Sequence, residues 1–310
     1  MQDNPQGLHH ITAIAGDPVR NLKFYRDVLG LRFVKKTVNF DDPFTYHFYF
    51  GDELGSPGTI LTFFPWAGAR PGRVGAGLIE SLAFTVPAGA LPFWRTRLAQ
   101  AGVAVAERPP LFGEARLGFE DPDGLRLELV ESSAPAGVQP WTALVPAATA
   151  IAGFHSATER VREAQPTDQF IRDMLGFTLV GEEAGRRRYR VGEHGVGVFD
   201  LLVDPASPAA LGGRGTVHHI AWAVSDDSAN NRWRERLTAM GHHVSPLMDR
   251  NYFRSIYFRE PGGVLFEFAT RGPGFAVDEA AETLGAALKL PAQYEEHRAQ
   301  IEARLTPLPP

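Results

Sequence analysis

Short stretches in which apolar and polar residues alternate recur along the chain, each followed by a segment with helical spacing. In Val217 to Val224, Ile220, Trp222 and Val224 fall on one face and Val217, His219, Ala221 and Ala223 on the other, the period of a strand with a buried face. Ile256, Phe258, Val264, Phe266 and Phe268 form a second apolar set of this kind, and in the first unit His10 and Thr12 share a face while Ile11 takes the opposite one. Leu22, Tyr25, Val28 and Leu29 recur at helical spacing, with Gly30 placed to cap the helix. Asp121-Pro122-Asp123-Gly124 and Glu260-Pro261-Gly262-Gly263 predict hairpin turns, and the second of these sets Tyr257 across from Glu267. A unit of strand, helix and three strands therefore fits at about 7–65, 78–131, 152–203 and 216–270. Gly/Pro-rich connectors fall at 66–77 and 204–215, and a Pro/Ala-rich linker at 132–150. A helix is expected near Pro291 to Leu305, with proline in its first turn.

The units repeat in pairs. At a constant offset of 146, His9 meets His155, Thr12 meets Thr158, Phe24 meets Phe170, Arg26-Asp27 meets Arg172-Asp173, and Leu29-Gly30 meets Leu175-Gly176. A second series starts at Gly77 and Gly215; Trp94-Arg95-Thr96-Arg97-Leu98 then matches Trp233-Arg234-Glu235-Arg236-Leu237, and Pro122 and Gly124 match Pro261 and Gly263. The expectation is an α+β protein with an N-terminal domain over 1–135, a C-terminal domain over 150–272, and a tail with a helix over 273–310.

Composition adds mainly exclusions. The 310 residues are 44% hydrophobic and 22% charged, as in a globular chain, with a formal net charge of −5. No long Lys/Arg run is present, which argues against nucleic acid as a partner. Met1 to Gly7 is polar, and the bland stretch Ala143 to Gly153 is too short and interrupted to span a bilayer, so a soluble, cytoplasmic protein without a membrane partner is expected. With no cysteine, disulfides and thiolate metal sites are excluded.

The chemistry lies where the copies disagree. His10 faces Ser156 and His219 faces Ser81, while Glu267 and Glu128 each stand six residues after the proline of their hairpin. One set reads His10, His219, Glu267; the other reads Ser156, Ser81, Glu128. Two imidazoles and a carboxylate can hold a divalent metal on one face and leave other positions open, whereas two serines and a glutamate are poor ligands. One metal site per chain is the natural reading. Tyr257, Arg250 and His218 are candidates for groups beside it. Glu128 reads as a relic or strand-edge carboxylate, and Lys35-Lys36 as a solvated strand end. His47, His194, His297 and His242-His243 read as ordinary histidines without a repeated acidic partner.

Four segments carry a resemblance: Gly7-Leu8-His9-His10-Ile11-Thr12, Phe33 through Pro43, His218-His219-Ile220-Ala221 and Asp249-Arg250-Asn251-Tyr252-Phe253. They closely resemble ring-cleaving dioxygenases of the vicinal oxygen chelate (glyoxalase/bleomycin resistance/dioxygenase) superfamily, nearest to its hydroquinone and chlorohydroquinone 1,2-dioxygenase branch, over almost the whole chain. The resemblance implies four βαβββ modules in two repeated halves, with modules one and four paired around the metal and modules two and three forming a vacant counterpart. It implies Fe(II) held by His10, His219 and Glu267, with Mn(II) as a possible substitute, O2 as co-substrate, and His9, Thr12, His218, Arg250 and Tyr257 as substrate or supporting residues. The implied substrate is a small aromatic diol, and homo-oligomer formation is left open. Two other readings stand beside it on the same fold. A glyoxalase-like isomerase or lyase would use a fourth protein ligand on the strand Pro57 to Phe64, where this chain offers Thr62 in the place of Glu267. A metal-free aromatic- or drug-binding protein would not need the two histidines and the glutamate.

Overall fold

The computed structural model describes residues 3–192 and 196–309; His194 lies outside the described residues. Four βαβββ modules follow one another. The first holds β1 (Leu8–Ala15), α1 (Pro18–Lys23), β2 (Arg32–Asn39), β3 (Asp42–Gly51) and β4 (Ile60–Pro65). The second holds β5 (Leu78–Val86), α2 (Leu91–Gln100), β6 (Val105–Leu111), β7 (Glu114–Glu120) and β8 (Arg126–Glu131). The third holds β9 (Phe154–Val161), α3 (Gln165–Gln169), β10 (Thr178–Glu183), β11 (Arg186–Arg190) and β12 (Val198–Val203). The fourth holds β13 (Thr216–Val224), α4 (Asp227–Ala239), β14 (Met248–Asp249), β15 (Arg254–Arg259) and β16 (Leu265–Thr270). Among the described residues no helix is long and apolar enough to cross a membrane.

The modules pair across the sequence halves. One eight-stranded sheet runs β14-β15-β16-β13-β1-β4-β3-β2 and so joins modules four and one; the other runs β10-β11-β12-β9-β5-β8-β7-β6 and joins three and two. Each sheet curls into a half-barrel whose seam is an antiparallel pair of first strands, β1 with β13 and β5 with β9. The connectors 66–77 and 204–215 also meet, through bridges at Pro71 and Arg214, Arg73 and Leu211, and Ala76 and Ala209. Their approach is close enough that a Cβ at Gly75 would stand 2.4 Å from the Pro208 carbonyl oxygen.

Strand parity fails at the seam, and the failure is informative. On β1 the register passes from Leu8 opposite Trp222 to His10 opposite Ala221, and on β13 from His219 opposite Thr12 to Val217 opposite Ala13. His9 and His218 are thus the extra residues of two β-bulges. Val217, placed by simple alternation on the His219 face, is instead buried in the main core with Leu8 and Ile220, because the bulge restores it to that side. The counterpart seam repeats the shifts at Glu80 and His155.

The helices of modules one and three also depart from a regular course. Each passes into a π-helical turn, Phe24–Val28 and Phe170–Met174, before the left-handed Gly30 and Gly176. The wider turn sets Tyr25 in the core with its hydroxyl 3.0 Å from Asp121 of module two. The tail helix is shorter than its sequence span: a 3-10 stretch, Ala292–His297, runs into one α-helical turn, α5 (Arg298–Glu302). This winding lets the Tyr294 hydroxyl donate to the Phe40 carbonyl and buries Ile301 and Leu305. Lys35 is not a solvated strand end. It is fully buried, its ammonium 2.7 Å from both Asp278 and Glu279, because the tail packs along β2 and the Lys289 amide donates to the Lys36 carbonyl. The otherwise open edge of that sheet is thereby covered.

One buried acid stands out between modules three and four. Glu159 on β9 is fully buried, and neither carboxyl oxygen accepts a hydrogen bond. Burial, then the neighbouring Glu260 carboxylate, push its pKa well above the usual carboxyl range. The folded state therefore keeps a proton that the unfolded chain releases above its ordinary pKa, so this group weakens the fold as pH rises. Glu159→Gln, whose amide can donate to Glu260, is expected to raise the melting temperature at pH 8, with the gain shrinking towards pH 4. Melting curves of both proteins across that range check it; a gain that grows on acidification would contradict the assignment.

Candidate metal centre

The two bulges set one imidazole behind another at the seam. His9 Nδ1 lies 2.9 Å from His10 Nδ1, and His218 Nδ1 lies 2.8 Å from His219 Nδ1. Burial first, and then the neighbouring ring, push His9 down to about 3, and His218, whose side chain opens to the cavity, is lowered by partial desolvation and by the His219 ring, so both are neutral at physiological pH. A neutral outer ring accepts the Nδ1–H of the inner one, and the inner ring then presents its Nε2 lone pair forwards. The Thr270 backbone beside His9 favours the protonated ring but does not offset its burial.

Glu267 completes the centre from β16, one residue beyond the register partner of Ile220. Its Oε2 lies 3.2 Å from His10 Nε2 and 3.0 Å from His219 Nε2, and the two nitrogens are 3.3 Å apart. The ligand atoms of all three residues fall within 4.8 Å of one another. Despite the short distances, both carboxylate oxygens lack a hydrogen bond at full burial. A buried carboxylate facing two imidazole nitrogens without such a bond is costly in isolation and is satisfied by a cation between them. His10, His219 and Glu267 could therefore bind a metal ion.

In front of the triad opens a cavity of about 430 Å³. Of the five other residues singled out in the sequence, His218, Arg250 and Tyr257 line it, whereas His9 and Thr12 lie behind the wall. Tyr257 stands opposite Glu267 in the β15–β16 register. Its hydroxyl oxygen accepts from Arg250 Nε at 3.1 Å, and burial followed by the Glu267 charge pushes its pKa upwards, so the phenol keeps its proton. Arg250 reaches across the mouth to Asp41 at 3.6 Å and lies over the Phe40 ring, joining the hairpin tips of modules one and four. Phe253 packs on His10, Phe64 on the His218 edge, and Trp66 stacks on Phe64, giving the cavity aromatic walls.

His47, read in the sequence as an ordinary histidine, lies in the wall of this cavity. It is buried there, with Nε2 2.8 Å from the Thr62 hydroxyl and Nδ1 2.9 Å from the Tyr49 hydroxyl. Thr62 in turn bonds Thr12 at 2.8 Å. The available signal was the run Thr45, His47, Tyr49 alternating with Tyr46, Phe48, Phe50, which puts a polar row on the concave face of β3. Thr12 pairs with Thr62 as Ala221 pairs with Glu267, so Thr62 holds the position of the fourth ligand and offers only a hydroxyl already engaged on both sides. His242 packs instead against Phe170, away from the cavity.

A family model described as the Glyoxalase/Bleomycin resistance protein/Dioxygenase superfamily matches residues 7–129 and again 153–268. The chain is 47% identical to MhqO of Bacillus subtilis (strain 168), a ring-cleaving dioxygenase by name, over 99% of this chain and 98% of that protein. It is 36% identical to the chlorohydroquinone/hydroquinone 1,2-dioxygenase of Sphingobium indicum, over 95% of this chain and 94% of the relative. A crystal structure of a Bacillus subtilis protein named as a dioxygenase superposes with a TM-score of 0.94 at 47% identity, covering 99% and 98% of the two chains. Glyoxalase I of Zea mays, at 15% identity and a TM-score of 0.63 over 86% and 92%, shares the fold alone.

Proposed function

We propose a ring-cleaving dioxygenase function, dependent on Fe(II) and directed at an aromatic diol of the hydroquinone or catechol type, for this chain, which belongs to the Glyoxalase/Bleomycin resistance protein/Dioxygenase superfamily. The observation that carries it is the buried Glu267 carboxylate, without a hydrogen bond, turned towards His10 and His219 at the base of an aromatic-walled cavity. The full-length likeness to dioxygenases implies an aromatic substrate, which those walls suit.

A ferrous ion held by His10, His219 and Glu267 would supply open positions for a phenolic oxygen and for O2, and a path for electrons between them; Mn(II) fits the same ligands. The remaining chemistry falls to the chain. Neutral His218 accepts from His219 at Nδ1, so its Nε2 carries the proton and donates into the cavity towards a substrate oxygen. Tyr257, whose oxygen is occupied by Arg250, is likewise a donor to negative charge developing on the substrate. Arg250 adds a fixed positive charge at the mouth, favouring the phenolate form of a bound diol. His9 and Thr12 act through others: His9 holds the His10 ring, and Thr12 ties the seam to Thr62 and His47. An isomerase of the four-ligand design is disfavoured by Thr62.

Oxygen uptake by protein loaded anaerobically with Fe(II) or Mn(II), offered hydroquinone and catechol in parallel, tests the reading. Uptake with ring-cleavage absorbance is expected for at least one diol. One bound metal per chain with no uptake on any diol would redirect the site to isomerase or binding chemistry. Tyr257→Phe is expected to lower kcat about a hundredfold by removing one donor at the developing charge. Metal content should stay at one per chain; an unchanged kcat, or loss of the metal, would contradict the role given to the hydroxyl.

A further inference from the structure

The metal ligands stand on β1, β13 and β16, and the far side of their cavity belongs to β2 and β3. In the sheet order β2 lies three strands from β1, about 14 Å along the sheet at the usual strand spacing. The curl carries the end of β2 back over the cavity, where Phe40 and Asp41 meet Arg250. Thr37 pairs with His47 of the cavity wall, Val38 turns into the main core, and Asn39, the last residue of β2, comes back to line the cavity. Asn39 is buried there.

Its side chain is already oriented. Asn39 Oδ1 accepts from the Asp41 amide at 2.9 Å, closing a turn at the hairpin tip. A backbone N–H can only donate, so the oxygen end of the amide faces Asp41, and Nδ2 with its two N–H donors is left over. No acceptor among the described residues reaches Nδ2. Its polar neighbours on this wall are engaged: Asp42 accepts from the Thr45 hydroxyl at 2.6 Å, Asp41 pairs with Arg250, and His47 is bonded at both nitrogens. A buried donor without an acceptor is costly, and one that lines a ligand cavity is satisfied by an acceptor on the ligand.

We infer that the Asn39 amide donates to the second oxygen of a para-diol and so selects a hydroquinone-type substrate over a catechol-type one. The inference rests on the proposed seating of one phenolic oxygen at His10, His219 and Glu267. In a catechol the second oxygen sits on the neighbouring ring carbon and stays beside the metal with the first. In a hydroquinone it lies at the far end of the ring, towards the wall that carries Asn39. His218 and Tyr257 serve the oxygen at the metal, whereas Asn39 serves the distant one.

Anaerobic calorimetric titration of the Mn(II)-loaded chain with hydroquinone, catechol and phenol tests it, in wild type, Asn39→Asp and Asn39→Ala. Asn39→Asp keeps an oxygen for the Asp41 amide and removes the N–H donors, which separates loss of the donor from loss of the turn. Wild type is expected to bind hydroquinone about tenfold more tightly than phenol, and in both variants that margin should shrink to about twofold or less. The margin between catechol and phenol, which arises at the metal, should stay within about twofold across the three proteins. Absence of the hydroquinone margin in wild type, its survival in either variant, or an equal loss for catechol would each overturn the inference. Those results leave ring cleavage standing if oxygen uptake on a diol persists, whereas failure of all three phenols to bind would sink the proposed function and the inference together.

Discussion

His219→Ala is expected to abolish metal binding and, with it, oxygen-dependent ring cleavage, by on the order of a thousandfold or more, since a catalytic metal contributes several kcal/mol to the transition state. The residue holds one of three donor positions, and its loss leaves the Glu267 carboxylate with a single imidazole nitrogen at full burial. Activity is not the sole readout. Metal that binds the folded chain and not the unfolded one raises stability by about 2.7 kcal/mol at a hundred times its dissociation constant. Fe(II) or Mn(II) added anaerobically should therefore raise the melting temperature of wild type and leave that of His219→Ala unmoved. An equal metal-induced rise in both would show that the ion sits elsewhere. Persistence of ring cleavage in the variant would remove His219 from the centre.

Trp222→Ala is the largest expected loss of stability. The indole is fully buried on β13 of the metal sheet and packs edge-on against Phe177 and Phe199 of module three and against Phe266, with centroid separations of 5.0, 5.5 and 5.4 Å. It thereby fastens one half-barrel to the other. Removing such a ring costs about 3–5 kcal/mol through lost burial and the cavity left behind, a large share of the roughly 5–15 kcal/mol that holds a typical domain together. Trp222→Phe should cost much less, because the indole N–H has no hydrogen-bond partner to lose. Denaturant unfolding of the three proteins checks both statements. A loss under about 1 kcal/mol for Trp222→Ala would mean that the sheets are joined chiefly by other contacts.

The four modules are legible in the sequence because each strand announces itself by alternation and each repeat supplies a second copy against which to read it. The triad is legible for the same reason: histidines replace serines at repeated positions, and no knowledge of the fold is needed to notice it. The pairing of module one with four and two with three is not written in periodicity, which is local; it rests on long-range register and is anticipated only through the family likeness. The bulges at His9 and His218 are also invisible to alternation, which is why Val217 falls on the wrong face in a simple reading. Lys35 looks like a solvated end because its partners, Asp278 and Glu279, lie far away in a tail of no marked pattern. His47 reads as an ordinary histidine and is hydrogen-bonded like one, to Thr62 and Tyr49, but its place in the cavity wall follows from strand pairing that local alternation does not reveal.

In the proposed function, one metal at His10, His219 and Glu267 lets this chain open an aromatic ring with molecular oxygen. The most direct measurement is mass spectrometry of the product formed from a diol under 18O2 by the Fe(II)-loaded chain. A ring-opened product that carries both labelled atoms is expected. A product without label, or a labelled product with its ring intact, would contradict it.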